Sequence, residues 1–215
     1  MKSHALTSFG VFTTAALAAS RTSAPDGCVT VPDDFSSIQA AVNSSPDCIF
    51  IQPGTYNEQV LVPSGAGQLS IYGYTEDDTS YEGNTVHVVQ SKAASQGYSN
   101  DETATLRVKT DGFKLYNVDI ENSFGEGSQA VALSAYSDSG FYGSRFIGYQ
   151  DTVLANEGYQ IYIDSEITGA TDYIFGHSAI AWFERVDLRC VDRSIGYVTG
   201  NMPLLAPPSP TTETR

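Results

Sequence analysis

The sequence predicts an all-β protein in which short strands wind into a parallel β-helix, a single-stranded solenoid preceded by one short helix. The 215 residues include 19 Gly, 13 Tyr and 10 Phe with many Val, Ile, Ser and Thr, a composition that favours strands and turns over long helices. The apolar runs are short and end at Gly, Asn or Asp, as strands do. A loose repeat of about 20 residues runs through the second half of the chain. We therefore expect one elongated domain over residues 20–200.

Residues 1–19 have the pattern of an export signal. Lys2 precedes a mildly apolar run over residues 9–18, and Ala16-Leu17-Ala18 supplies the small residues of a cleavage site. The run is interrupted by Gly and Thr, and it is too short to cross a bilayer as a helix. We expect cleavage between Ala18 and Ser20, a secreted extracellular protein, and no membrane as partner.

The one predicted helix follows the signal. Asp34 is a capping residue, and apolar residues at positions 35, 38, 41 and 42 have the spacing of a short amphipathic helix. Cys28 and Cys48 flank this segment, and a secreted protein can form disulfides, so these two cysteines are the predicted pair. Cys190 is left over, either as a buried free thiol or because its partner is missing from this chain. Asn43-Ser44-Ser45 is a glycosylation sequon.

The strands are predicted from short apolar runs, which in the first half of the chain cover residues 49–51, 60–62, 69–72, 86–89 and 104–108. Further on, segments that place polar residues before an aliphatic one begin at positions 117, 144, 164 and 185. No helix pattern lies between them, which indicates a solenoid with one coil per repeat. A β-sandwich would instead turn about every 8–12 residues, through hairpin signals such as Asn-Gly.

The charge balance excludes two classes of partner. With 11 Lys and Arg against 25 Asp and Glu, the formal net charge is −14. Nucleic acids and anionic membrane surfaces need a basic face, and this chain has few cations from which to build one. We therefore expect neither as a partner.

The repeat brings chemically useful side chains together. In a solenoid of strands, residues one coil apart stack at about 4.8 Å. Asp172 follows Asp151 by one such period and Gln150 follows Gln129 by the same interval, so two carboxylates and two amides should form one patch. Mutual repulsion keeps a proton on one of two adjacent carboxylates, which lets them act as acid and nucleophile, and amide donors can stabilise an oxyanion. On spacing alone, a polar ladder that only satisfies the coil turns fits equally well.

Four ordered motifs connect this patch to a known family: Gly54-Thr55-Tyr56-Asn57-Glu58, Gln129-Ala130-Val131-Ala132-Leu133, Gly148-Tyr149-Gln150-Asp151-Thr152 and Asp172-Tyr173-Ile174-Phe175-Gly176. In their order and spacing the chain resembles the pectinesterase (pectin methylesterase) family of right-handed parallel β-helix carbohydrate esterases, most closely its fungal secreted members. The resemblance covers residues 28–200, nearly all of the chain that would follow signal cleavage.

The resemblance implies a role for each residue of the patch. Asp172 would be the nucleophile on the ester carbonyl, Asp151 the acid that protonates departing methanol and then the base that activates water, and Gln129 and Gln150 the oxyanion donors. No cofactor and no metal are implied, and the substrate would be the polysaccharide pectin. The residues expected to contact the sugars are Phe175, Tyr149, Tyr173 and His177. Trp182 fits sugar binding and core packing equally well.

The C-terminal part of the chain departs from the family. Family members continue through a Leu-Gly-Arg-Pro-Trp stretch whose Arg holds the nucleophile and whose Trp lines the sugar groove, and this sequence has no such stretch. Residues 201–215 are instead a Pro-rich tail, which cannot pair as a central strand. The resemblance therefore predicts a C-terminally truncated member with the last coils missing, an apolar end exposed and activity reduced.

Two other functions stay open at the level of sequence. Paired carboxylates also serve glycosidic cleavage, so a glycoside hydrolase or lyase on the same scaffold is the second enzymatic hypothesis. A non-catalytic polysaccharide-binding product is the third. Residues 125–130 fit the loose dinucleotide pattern G-x-G-x-x-A, but no helix in a βαβ frame follows them, which favours a turn. We expect a monomer.

Overall fold

The computed structural model describes residues 19–191 and 195–201. The predicted export signal and the Pro-rich tail therefore lie outside the described residues, apart from residues 19 and 201 at their edges. Within the described part, nineteen strands form three sheets, accompanied by two short α-helices and one 3₁₀ turn, Ala94–Gln96. No helix in this part is long and apolar enough to cross a membrane.

The three sheets form the three walls of the solenoid. The first has the spatial order β1 (Val29–Val31), β2 (Cys48–Ile51), β5 (Ser70–Gly73), β8 (Phe113–Tyr116), β11 (Ser139–Tyr142), β14 (Tyr159–Ile163) and β17 (Ile180–Glu184). The second is β4 (Val60–Val62), β7 (Leu106–Val108), β10 (Leu133–Tyr136), β13 (Val153–Glu157), β16 (Ile174–Gly176) and β19 (Thr199–Asn201). The third is β3 (Gly54–Asn57), β6 (Val86–Gln90), β9 (Asp119–Asn122), β12 (Arg145–Ile147), β15 (Glu166–Gly169) and β18 (Asp187–Cys190).

The strand register confirms the predicted parallel β-helix. Every strand pairs in parallel with the equivalent strand of a neighbouring coil. In the second sheet, Leu133 of β10 lies beside Val153 of β13, which lies beside Ile174 of β16. These two steps along the chain match the period of about 20 residues that the sequence repeat indicated.

The polar residues of the repeat turn the corner into the third sheet. Asn117, Asp164 and Arg185 have positive φ angles of 53°, 50° and 50°, and Gly143 occupies the equivalent corner with a φ of 55°. Left-handed backbone costs least for Gly and little for Asn and Asp, which explains the residue types at three of these corners. At the fourth, Arg185 Nε donates a hydrogen bond to the Asp164 carboxylate at 2.6 Å, so the two corner residues are paired across coils.

One of the predicted repeat starts is displaced. Arg145 of β12 pairs with Asp119 of β9, which makes Gly143 the counterpart of Asn117. The prediction that this repeat begins at Ser144 is therefore one residue late, because a glycine takes the corner that a polar residue takes in the other coils.

An aromatic spine fills the core behind the first sheet. Phe113, Phe141, Tyr162 and Phe183 follow one another in consecutive coils, with ring centroids 6.2, 4.8 and 4.7 Å apart. The first three are fully buried. Aromatic pairs of this kind contribute about 0.5–1.5 kcal/mol each beyond the burial of their area, so the stack stabilises the packing of one coil on the next.

The first helix, α1 (Ile38–Asn43), begins three residues later than predicted. Its cap is Ser37, whose side chain accepts a hydrogen bond from the Ala40 amide at 3.1 Å. Glu58 accepts hydrogen bonds from the Ile38 and Gln39 amides at 2.9 and 2.8 Å. The prediction of Asp34 as the capping residue is wrong, because its carboxylate instead binds the amide and hydroxyl of Thr30, each at 2.7 Å.

A second helix, α2 (Asn100–Thr103), was not predicted. Ser99 and Glu102 form a capping box around its first turn, in which Glu102 accepts a hydrogen bond from the Ser99 amide at 2.9 Å. Four residues are too few for an apolar periodicity to appear. The Ser99-to-Glu102 spacing was the one signal in the sequence that could have indicated this helix.

The cysteines differ in their environments. Cys28 and Cys48 form a disulfide that ties the chain before β1 to β2. Cys190 is exposed, so the alternative of a buried thiol is wrong. Its strand, β18, is the outermost strand of the third sheet among the described residues, and the whole strand is exposed. The last described coil also leaves several large apolar side chains exposed: Ile180, Trp182, Leu188, Ile195 and Tyr197.

Candidate active site

The two predicted carboxylates lie one coil apart at the corner that leads into the second sheet. Gln150 bridges Thr171 in parallel, and the Asp151 amide donates to the Thr171 carbonyl at 3.0 Å, so Asp151 and Asp172 occupy equivalent positions in adjacent coils. One coil earlier, the Ala130 amide donates to the Gln150 carbonyl at 3.0 Å, which places Gln129 beside Gln150. The structure thus brings all four predicted residues to one wall.

A cavity of about 380 Å³ opens over this wall. It is lined by the two carboxylates and the two glutamines, together with Phe175, His177, Tyr136, Leu154, Asn156, Gly176, Gly200 and three residues at the start of α2, Ser99, Asn100 and Asp101. Phe175 is partly buried beside Leu154 on the outer face of the sheet, and His177 is exposed. The cavity therefore combines reactive polar groups with an apolar floor.

Two of the predicted sugar contacts do not reach this cavity. Tyr173 is fully buried, with its hydroxyl 3.4 Å from the Cys190 sulfur, so its prediction as a substrate contact is wrong. The alternation of side chains after Asp172 turns Tyr173 inward, and its Cβ atom lies 2.2 Å from the place that a Cβ on Gly169 would take. Tyr149 is partly buried and is not among the lining residues. Trp182, 64% exposed on the first sheet, belongs neither to the core nor to this cavity.

The pKa of Asp151 is raised toward neutrality by its surroundings. Its side chain is buried, with only 7% of the residue exposed. Burial, and then the negative charge of Asp172, raise the pKa of Asp151 to about 6, against the opposing effect of a hydrogen bond from Asn100 at 3.1 Å. A carboxyl group with this pKa can give up and regain a proton near neutral pH.

Asp172 is more exposed to solvent than Asp151 is. It is partly exposed at the cavity, whereas Asp151 is buried. Gly200 of β19 packs directly against it, since a Cβ at position 200 would lie 2.6 Å from the Asp172 Cγ atom. The close packing of β19 on Asp172 therefore requires glycine at position 200.

Both aspartates adopt left-handed backbone, with φ angles of 65° at Asp151 and 46° at Asp172. Non-glycine residues are uncommon there, although Asp is among the better tolerated. Asp164, at a corner far from the cavity in the same coil, has the same conformation. The left-handed backbone is thus a general device for turning a coil, and it does not by itself indicate catalysis.

Helix α2 is pinned to the sheet beside the site. The Asp101 carboxylate accepts hydrogen bonds from Arg107 Nη2, Lys109 Nζ and Ser134 Oγ, each at 2.6 Å. Burial alone would raise the pKa of Asp101, but these bonds and the Lys109 charge hold it below its ordinary value. Lys109 also lies over the Tyr136 ring, 3.3 Å from its centroid. The helix consequently has a fixed position over β7 and β10.

Sequence reasoning did not identify the residues that α2, β10 and β13 add to the cavity. Strand alternation could have placed Tyr136 and Leu154 on the outer face of the sheet. Leu133 and Val153 face the core, so residues at odd intervals after them face outward. Asn100 has no such signal, since it lies far before Asp151 in the chain and reaches it only through the fold. Among the described residues, no group of three or more His, Cys, Asp or Glu side chains is placed to hold a metal ion.

Comparison with known proteins places this geometry in a family. The sequence model of the Pectinesterase family matches residues 22–193. A pectinesterase of Aspergillus niger is 44% identical over 193 residues, which are 85% of this chain and 58% of the relative. A probable pectinesterase A of Neosartorya fischeri is 46% identical over 187 residues, covering 83% of this chain and 56% of the relative.

Solved structures give the same result for the fold. The crystal structure of the pectin methylesterase from Aspergillus niger, in deglycosylated form, superimposes with a TM-score of 0.80 at 41% identity, covering 85% of this chain and 62% of that one. The pectin methylesterase from carrot gives a TM-score of 0.72 at 27% identity, covering 85% and 59%. The chain spans less than two thirds of the length of these relatives. Because the family's sequence model matches most of its residues, the chain belongs to the pectinesterase family.

Proposed function

We propose that this protein hydrolyses the methyl esters of pectin (homogalacturonan), releases methanol and thereby modifies plant cell walls. The observation that carries the proposal is the stacked carboxylate pair, in which the pKa of Asp151 is raised to about 6 partly by Asp172. Two primary amides flank the pair in an open cavity, and the chain belongs to the pectinesterase family.

The first half of the proposed reaction forms a covalent intermediate. The Asp172 carboxylate attacks the carbonyl carbon of the ester, and the electron pair of the carbonyl bond moves to oxygen. The amide groups of Gln129 and Gln150 donate hydrogen bonds to that oxyanion. As the oxyanion collapses, the bond to the methoxy oxygen breaks, and protonated Asp151 gives its proton to that oxygen. Methanol leaves, and an acyl anhydride joins Asp172 to the galacturonosyl group.

The second half restores the enzyme with the same groups in reversed roles. Asp151, now ionised, takes a proton from water as the water oxygen attacks the acyl carbon of the anhydride. The bond to the Asp172 oxygen breaks, which frees the Asp172 carboxylate and a galacturonic acid group. Asp151 keeps the proton for the next cycle. A pKa near neutrality serves both halves, because the group must donate in one and accept in the other.

The remaining lining residues fit a polysaccharide substrate. Phe175 and Leu154 form an apolar strip along the sheet next to Asp172, on which a sugar face can pack. His177 and Asn156 add polar groups at the margin of the cavity. Phe175 and His177 line the cavity and are the residues that would contact the sugars, whereas Tyr173 is buried.

We also propose that the protein acts outside the cell as a monomer. Export is supported by the signal pattern of residues 1–19 and by the Cys28–Cys48 disulfide. A monomer is supported by the site itself, because both carboxylates and both amides come from one chain. Mass analysis of the secreted protein and size-exclusion chromatography test these two statements.

The deciding experiment measures methanol and chain length together. The 215-residue chain, incubated with highly methylated pectin, should release methanol while the viscosity of the pectin stays constant. Asp172→Asn should abolish methanol release, and Gln150→Ala should reduce kcat by about 10²–10³ if this amide is an oxyanion donor. A fall in viscosity without methanol would instead establish a glycoside hydrolase or lyase. Binding of pectin by the folded chain without methanol would establish a non-catalytic module.

A further inference from the structure

We infer that Asn100 is a positioning residue that selects which oxygen of Asp151 carries the catalytic proton. Its side-chain amide holds Oδ2 of Asp151 as a hydrogen-bond acceptor, and this leaves Oδ1 to carry the proton that reaches the departing methoxy group. The inference rests on the proposed esterase function and adds to it a residue outside the four-residue patch.

The hydrogen bond itself is the first step of the argument. Asn100 Nδ2 lies 3.1 Å from Asp151 Oδ2, and both residues line the cavity. An amide nitrogen only donates, so the oxygen that it contacts must offer a lone pair and is disfavoured as the site of protonation. The other carboxyl oxygen is then the favoured site.

The second step is that Asn100 cannot easily move away. It is the first residue of α2, which begins at the capping box of Ser99 and Glu102. Asp101, the next residue, receives three hydrogen bonds of 2.6 Å from Arg107, Lys109 and Ser134. Charge-assisted bonds of this length are among the strongest in proteins, so α2 presents the amide from a rigid support.

The third step concerns what Asp151 would do without this bond. The χ2 torsion angle of an aspartate has a broad distribution with roughly two-fold symmetry. A carboxyl group without a directional partner can therefore rotate and exchange the positions of its two oxygens. The proton would then be distributed over both oxygens, and the fraction of molecules that carry it on Oδ1 would fall. The other titratable groups that line this cavity are Asp172 at the corner before β16, Asp101 on α2, Tyr136 on β10 and His177 after β16. Asn100 is the residue among the described ones that donates to Asp151 through its side chain.

The test combines kinetics with direct titration of the carboxyl group. Asn100→Ala should lower kcat for methanol release by about 10- to 100-fold, the range expected for loss of alignment, while KM changes less than about two-fold. Nuclear magnetic resonance of protein labelled with ¹³C at the aspartate carboxyl groups should show the pKa of Asp151 rising above its starting value of about 6, since a donor to the charged form is lost. The alkaline limb of the kcat profile should move in the same direction.

Two further variants separate positioning from a purely structural role. Glu102→Ala removes the capping box but keeps the amide of Asn100 and the three hydrogen bonds of Asp101 that anchor α2, so it should lower thermal stability without moving the pKa of Asp151. Asn100→Gln keeps a donor on a longer side chain and should recover part of the lost kcat. If Glu102→Ala reproduces the kinetic loss of Asn100→Ala, or if folded Asn100→Ala keeps both kcat and the pKa of Asp151, the inference is overturned. If the unmodified chain releases no methanol, the titration alone decides whether Asn100 binds Asp151, so failure of the inference and failure of the proposed function remain distinguishable.

Discussion

Asp151→Asn should make the protein more stable above neutral pH while it abolishes catalysis. The substitution preserves the shape of the side chain, and the new amide oxygen can accept the hydrogen bond from Asn100. What it removes is a carboxylate that is 7% exposed and lies beside the negative charge of Asp172. Active-site groups that are unfavourable for folding are a common origin of the trade-off between stability and activity.

The magnitude follows from the pKa of Asp151, which rises from 3.8 to about 6. Each pKa unit corresponds to about 1.4 kcal/mol, so the full shift corresponds to about 3 kcal/mol. Because the cavity is open to solvent, screening reduces this value, and we expect a gain of about 1–3 kcal/mol.

The sign of the pH dependence is fixed by linkage. The native state holds the Asp151 proton more tightly than the unfolded chain does. The corresponding stability is complete below pH 3.8 and is lost as the pH rises through about 6. The amide that replaces this carboxyl group in the variant does not titrate in this range, so the difference between the two proteins should develop over this interval.

Urea unfolding at a series of pH values measures the effect, provided that the m-values of the two proteins agree. The free energy of unfolding of Asp151→Asn minus that of the unmodified protein should increase between about pH 4 and pH 7.5 by the amount given above. Asp26→Asn, at an exposed position, controls for the loss of one negative charge. A difference that is the same at both ends of the pH range would refute the argument that burial and Asp172 raise the pKa of Asp151.

Three further predictions follow from single contacts. Asp172→Asn should lower the pKa of Asp151 from about 6, because the repelling charge is removed, and ¹³C titration that leaves it unchanged would show that the two carboxyl groups do not interact. Gly200→Ala should reduce methanol release by about 10²-fold, since the new Cβ would lie 2.6 Å from the Asp172 Cγ atom; unchanged activity would mean that β19 can shift away. Joint replacement of Cys28 and Cys48 by Ala should lower the free energy of unfolding by about 3 kcal/mol, as expected for a closed loop of this length, and calorimetry showing no loss would contradict it.

The fold was predictable because the length of one coil of a solenoid equals the period of its sequence repeat. The interval between Asp151 and Asp172 in the chain is also the length of one coil, and it places the pair correctly without any tertiary information. The short helices were harder to predict, because α2 has only four residues and the start of α1 depends on which residue caps it. Asp34 fitted the capping pattern, and only the structure shows that its carboxylate binds Thr30 while Ser37 caps the helix.

The site was only partly predictable, for a related reason. The patch of carboxylates and amides follows from coil stacking, whereas the residues that approach from outside the repeat do not. Asn100 reaches Asp151 because Asp101 anchors α2 across two strands, and no periodicity connects these positions. Tyr173 is an error of the opposite kind, a residue predicted to contact the substrate that does not reach the cavity. Its place next to Asp172 in the sequence led to the prediction, but strand alternation turns its side chain into the core.

The division of labour between the two aspartates is tested most directly by trapping the covalent intermediate. Protein incubated with methylated pectin and hydroxylamine is digested, and the peptides that contain Asp151 and Asp172 are compared by mass spectrometry. The proposed mechanism predicts a hydroxamate at Asp172 that forms only when pectin is present and is absent from Asp151→Asn, in which the leaving group is not protonated. A pectin-dependent hydroxamate at Asp151, or methanol release with neither residue modified, would contradict the assignment of Asp172 as the nucleophile.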